Sequence, residues 1–163
     1  MTNFYSFHGT VTLIRGFFIS PNDADAGCYK LFTLENESGQ IVNFIVSPDT
    51  YFVDHETVTV GDRVTGYYDG DAPVILIYPP QYPALVMVKE NSNQSVKVDY
   101  FNSQLLSSDG QLRLNISPNT RIFLTNGQLF TGNLANRDLV VVYGASTKSI
   151  PAQTTPNKII VLC

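Results

Sequence analysis

The sequence predicts an all-β protein made of two similar small antiparallel β-barrel or sandwich modules. Three observations carry that expectation. No stretch of a dozen residues keeps apolar positions at helical spacing, and β-branched and aromatic residues dominate the apolar set. Turn residues cut the chain into short runs of strand length. The chain also repeats itself at an offset of roughly 70 positions. Ser47-Pro48-Asp49-Thr50 is matched by Ser117-Pro118-Asn119-Thr120, each after an alternating apolar run (Val42, Phe44, Val46; Leu112, Leu114, Ile116). Gly61-Asp62-Arg63-Val64 is echoed by Asn136-Arg137-Asp138-Leu139, and Pro79–Pro83 by Pro151–Pro156.

Taken in order, the first strand runs from Phe7 to Ile19, with Val11, Leu13 and, at its far end, Phe17 on one face. Gly9 and Gly16 inside it mark bends or bulges. Tyr29–Leu34 and Ile41–Val46 flank a polar hairpin turn, Glu35 to Gln40. A short strand is expected within Val53–Val60. Arg63–Tyr68 alternates, with Val64, Gly66 and Tyr68 on one side, and Val74–Tyr78 reads as the next strand. The proline-rich segment Pro79–Pro83 is expected to leave the ladder, since proline donates no backbone hydrogen bond. Leu85–Val88 follows. The second half offers Val96–Leu106 and Leu112–Ile116 as a hairpin around Asp109-Gly110, then Thr120–Leu124, Asp138–Tyr143 and Lys158–Leu162. The expected modules are residues 1–89 and 90–163, packed closely, with strand 84–89 able to serve both. Several curled strands per unit, a long glycine-kinked first strand and the turn Val60-Gly61-Asp62-Arg63-Val64 together resemble tandem OB-like small β-barrel modules of uncharacterised bacterial proteins.

Composition narrows the function classes. The chain is 44% hydrophobic but only 15% charged, against about 25% charged in an average soluble domain. Its uncharged surface must therefore be rich in Thr, Ser, Asn, Gln and Tyr, as where a protein packs against copies of itself. With a net charge of −4 and ten scattered Lys and Arg, the chain lacks the basic track that phosphate backbones require, so no nucleic-acid partner is expected. No apolar stretch reaches membrane-spanning length, so no membrane insertion is expected. The N-terminus lacks a basic region followed by an apolar core, which points to synthesis in the cytosol, with deployment on an outer or spore surface left open.

Chemistry-bearing motifs are sparse. The sequence holds no G-x-S-x-G, H-E-x-x-H, C-x-x-C or phosphate-cradling glycine loop. His8 and His55 lie at a strand start and in a charged connection, so neither reads as a catalytic base, and no enzyme activity or cofactor is expected. Asp23 and Asp25 alternate ahead of Gly27 as calcium-loop ligands do, without the bidentate glutamate that would complete such a loop. Tyr67 and Tyr82 are the candidate contact residues among nine Tyr and ten Phe. Cys28 and the terminal Cys163 have no metal or redox spacing and are candidates for a disulfide between subunits, with an internal bridge the open alternative. The expected function is thus a self-assembling structural subunit whose partners are copies of itself: an oligomer, or a fibre of an envelope, spore layer or appendage. The alternative is a carbohydrate- or protein-binding module using an aromatic strand face.

Overall fold

The structure is a computed structural model that describes residues 1–17, 24 and 26–163. It is all-β, and its one helical element among the described residues is a single 3-10 turn, Val53–His55. The chain divides into two compact units, Phe4–Glu90 and Asn91–Cys163, with Met1–Asn3 joining the latter. In that second unit the Thr2 backbone N–H donates to Asp138 Oδ1 at 3.2 Å.

The first unit is a seven-stranded sheet of β1 (Phe4–Gly16), β2 (Lys30–Glu35), β3 (Ile41–Val46), β4 (Tyr51–Phe52), β5 (Arg63–Asp69), β6 (Gln81–Pro83) and β7 (Val86–Lys89). The spatial order is β4-β7-β5-β1-β2-β3-β6. Strand β1 is long enough to pair β5 along Phe4–Thr10 and β2 along Thr10–Gly16. Its register slips between Val11 and Leu13, because Thr12 is an extra residue opposite Leu34 and Thr33. That bulge buries Val11 but leaves Leu13 half exposed, which corrects the expectation that the two share a face. Gly9 is dictated by crowding, since a Cβ there would sit 2.7 Å from the Glu35 carbonyl oxygen. The core gathers Val11, Leu34, Phe44, Val64 and Met87, with Tyr68 and Tyr82 packed at its border.

The second unit contains a four-stranded sheet in the order β10-β13-β11-β8, made of β8 (Ser95–Phe101), β10 (Arg121–Leu124), β11 (Arg137–Tyr143) and β13 (Lys158–Leu162). A separate pair joins β9 (Leu112–Leu114) to β12 (Ala152–Thr154). Phe101, Leu112, Leu139, Val141, Ile159 and Val161 form its own core. Strand β8 stops at Phe101, short of the expected Leu106. Asn102 Oδ1 accepts the Gln104 and Leu106 backbone N–H groups there and turns the chain through Leu105, at φ +56°.

The two units share a pairing scheme. In each, a short strand pairs in parallel with the last one, β4 with β7 and β10 with β13, and a proline-flanked strand pairs in parallel with the hairpin strand, β6 with β3 and β12 with β9. In each, an antiparallel ladder joins the last strand to the strand two before it, β7 to β5 and β13 to β11. The two Ser-Pro-x-Thr segments make the same contacts. The Ser47 N–H donates to Thr50 Oγ1 at 3.0 Å and that hydroxyl donates to the Ala84 carbonyl at 2.8 Å. The Ser117 N–H donates to Thr120 Oγ1 at 3.3 Å, and that hydroxyl reaches the Pro156 carbonyl at 2.8 Å.

Four further expectations are corrected. The modules are not antiparallel OB-like barrels: short parallel ladders stack strands within each unit, and among the described residues the second unit lacks one continuous sheet. The segment Pro79–Pro83 does not leave the ladder. Its parallel pairing uses proline carbonyls, Asn43 N–H donating to Pro80 O at 2.9 Å, and needs no proline N–H. Val53–Val60 holds no strand, because Asp54 and His55 adopt left-handed backbone angles that break the extension. The expected strand Val74–Tyr78 is also absent.

Candidate functional site

The sequence-selected residues fall in different places. Asp23 and Asp25 lie outside the described residues. Among the described residues no three His, Cys, Asp or Glu side chains gather as metal ligands would. Cys28, in the first unit, and Cys163, in the second, are both exposed free thiols.

Tyr67 and Tyr82 are half-buried rather than open. Tyr82, on β6, lies flat on Tyr68 of β5, with ring centroids 3.9 Å apart and planes 8° from parallel. Phe44 leans against both rings, and Tyr5 meets Tyr68 edge-on at 6.0 Å. This cluster caps one end of the core, so Tyr82 is spent on packing. Burial, then the neighbouring Tyr82 and Tyr5 hydroxyls, push the Tyr68 phenol up to about 12.

His8 joins a polar network at the surface. Its Nδ1 is 2.8 Å from Thr65 Oγ1, and its Nε2 is 3.2 Å from an Arg63 guanidinium nitrogen and 3.7 Å from Glu90. Arg63 in turn donates to Glu90 at 3.0 Å and approaches Glu37 at 3.7 Å. His8, Arg63 and Glu37 border an open concavity of about 560 Å³ together with Thr10, Asn36 and Ser38. Every member is substantially exposed, so the charges neutralise one another in water and each pair contributes at most about 1 kcal/mol. His55 lies apart, edge-on to Tyr51 at 5.8 Å.

The feature that sequence reasoning misplaced is Val74-Ile75-Leu76-Ile77-Tyr78. It follows β5 and the turn at Asp69–Ala72, and precedes β6. Leu76 is fully exposed, Tyr78 is 77% and Ile75 67% exposed, and Val74 and Ile77 are about half exposed. Among the described residues no backbone hydrogen bond involves these five. These five consecutive large apolar side chains are exposed or half-exposed, and their backbone has no pairing among the described residues. The bracketing prolines, Pro73 and Pro79, were the available signal that this run stands outside the sheet.

The corresponding loop of the second unit, between β11 and β12, is different in kind. Ala145-Ser146-Thr147-Lys148-Ser149 is polar and ties itself down: the Thr147 N–H donates to Gln153 O at 2.9 Å, and the Ser149 hydroxyl donates to Pro151 O at 2.7 Å. The pairing scheme therefore does not demand an apolar loop at this place. Compared with protein-family models, curated proteins and solved structures, the chain matches none.

Proposed function

We propose that the protein is a non-enzymatic structural subunit that assembles with copies of itself through its surface, into an oligomer or a fibre of an envelope, spore layer or appendage. The observation that carries this reading is the exposed apolar run Val74–Tyr78. Burying such side chains contributes about 25 cal/mol per Å² of apolar surface, a gain the isolated chain leaves unused. The two exposed thiols, Cys28 and Cys163, are placed where neighbouring copies could be joined covalently in an oxidising setting. The finer architectural description belongs to the same proposal: two similar modules from an internal duplication, supported by the shared strand pairings and Ser-Pro-x-Thr contacts. The alternative, a carbohydrate- or protein-binding aromatic face, draws less support because the Tyr82 ring is already engaged by Tyr68 and Phe44.

Sedimentation velocity over a wide concentration range, with and without reductant, tests the proposal. Mass should rise with concentration, and removing the reductant should trap part of the larger species. A monomer at every concentration under both conditions would sink it.

A further inference from the structure

We infer that Val74–Tyr78 is one half of a two-fold interface, pairing antiparallel with the same segment of a second copy and centred on Leu76. The inference rests on the self-assembly reading and specifies its geometry. The run is symmetrically bracketed: Pro73 and Pro79 each lie three residues from Leu76. Antiparallel pairing about Leu76 sets Val74 opposite Tyr78, Ile75 opposite Ile77 and Leu76 opposite itself. These β-branched, aliphatic and aromatic pairs are the kind that stabilise cross-strand neighbours. If the Leu76 pair exchanges its backbone hydrogen bonds, the prolines fall at non-hydrogen-bonded positions, where a missing N–H costs nothing. The ladder then satisfies about six backbone hydrogen bonds and ends where the prolines stand.

Charge selects the same direction. Parallel pairing in register would bring the two Asp71 carboxylates together just beyond the ladder, whereas antiparallel pairing puts them at its opposite ends. Area agrees as well. At ordinary side-chain sizes the five residues expose roughly 600 Å², the upper end for an apolar patch on a monomer. A standard interface takes about 800 Å² per partner, so even fully covered this segment supplies about three-quarters of one side and neighbouring surface supplies the rest. An isologous contact of this kind closes on itself as a dimer, so a longer assembly needs a second contact elsewhere.

Two measurements test the pairing. In the first, Leu76→Asp places two carboxylates on the symmetry axis and should weaken self-association about a hundredfold by sedimentation equilibrium, leaving the β circular dichroism unchanged. In the second, cysteine is introduced singly on a Cys28→Ser, Cys163→Ser background. Leu76→Cys should cross-link to a covalent dimer rapidly on mild oxidation, because Cα atoms of a hydrogen-bonded pair lie about 5.5 Å apart, within disulfide reach. Val74→Cys alone should not, because its own copy would be roughly 14 Å away. Equal self-association of the wild type and Leu76→Asp, or equal cross-linking at both positions, overturns the pairing while leaving self-assembly standing. A wild type that stays monomeric overturns both.

Discussion

Tyr68 shows how one residue's surroundings become a pH dependence. In the unfolded chain its phenol ionises near 10, whereas in the folded protein burial and the adjoining Tyr82 and Tyr5 hydroxyls hold it to about 12. A group with a raised folded pKa stabilises the fold fully below its unfolded value and loses that contribution as pH rises through the folded value. Stability should therefore fall between pH ~10 and ~12, and Tyr68→Phe should flatten that fall. Urea midpoints across that range check it, and Tyr68→Phe should remove a late-titrating component from the tyrosinate absorbance. This site was half legible in the sequence. The alternation of Val64, Gly66 and Tyr68 put all three on one face, and they do line the core. The stacking of Tyr82 on Tyr68 was not legible, because β6 reaches β3 only through a parallel pairing between residues about 40 positions apart.

At the scale of the element, the two Ser-Pro-x-Thr segments act as clasps. Each threonine hydroxyl accepts a bond from the serine N–H three residues earlier and donates one to a carbonyl of the chain entering the last strand. Thr50→Val and Thr120→Val keep the side-chain shape but remove both bonds. Each should cost about 1–2 kcal/mol in chemical denaturation. A similar loss at both positions would match their similar contacts, whereas no loss at either would show that the clasps are incidental. The clasps were found as a repeated tetrapeptide, because short polar motifs carry their own local hydrogen bonds. The β1 bulge lies at Thr12 rather than at Gly9 or Gly16 for the opposite reason: a bulge is fixed by the partner strand, and single-strand alternation cannot place it.

For the whole molecule, low charge and one unusual loop matter most. The net charge of −4 opposes association between copies, and the repulsion is screened by salt. Self-association through an apolar, uncharged segment should therefore strengthen as ionic strength rises from about 20 mM to about 500 mM, because the Debye length falls severalfold. Sedimentation equilibrium at the two salt concentrations checks this. Weakening with salt would instead point to a contact held by ion pairs. Lys89–Asp62 and the Arg63–Glu90 pair are exposed enough to be screened in the same experiment, but as intramolecular pairs they should not alter the mass.

By itself the sequence determined that this is an all-β protein with a repeated plan, because strand propensity, turn chemistry and short capping motifs are written in neighbouring residues. It also set the boundaries of β3 and β13, where mostly apolar runs lie between turns. Tertiary structure alone decided which apolar runs find a partner. Val74–Tyr78 has the composition of a strand and Gln81–Pro83 does not, yet the second is in the sheet and the first stands outside it. A strand exists only where another chain segment offers hydrogen bonds at the right distance, and that offer comes from residues far away along the sequence.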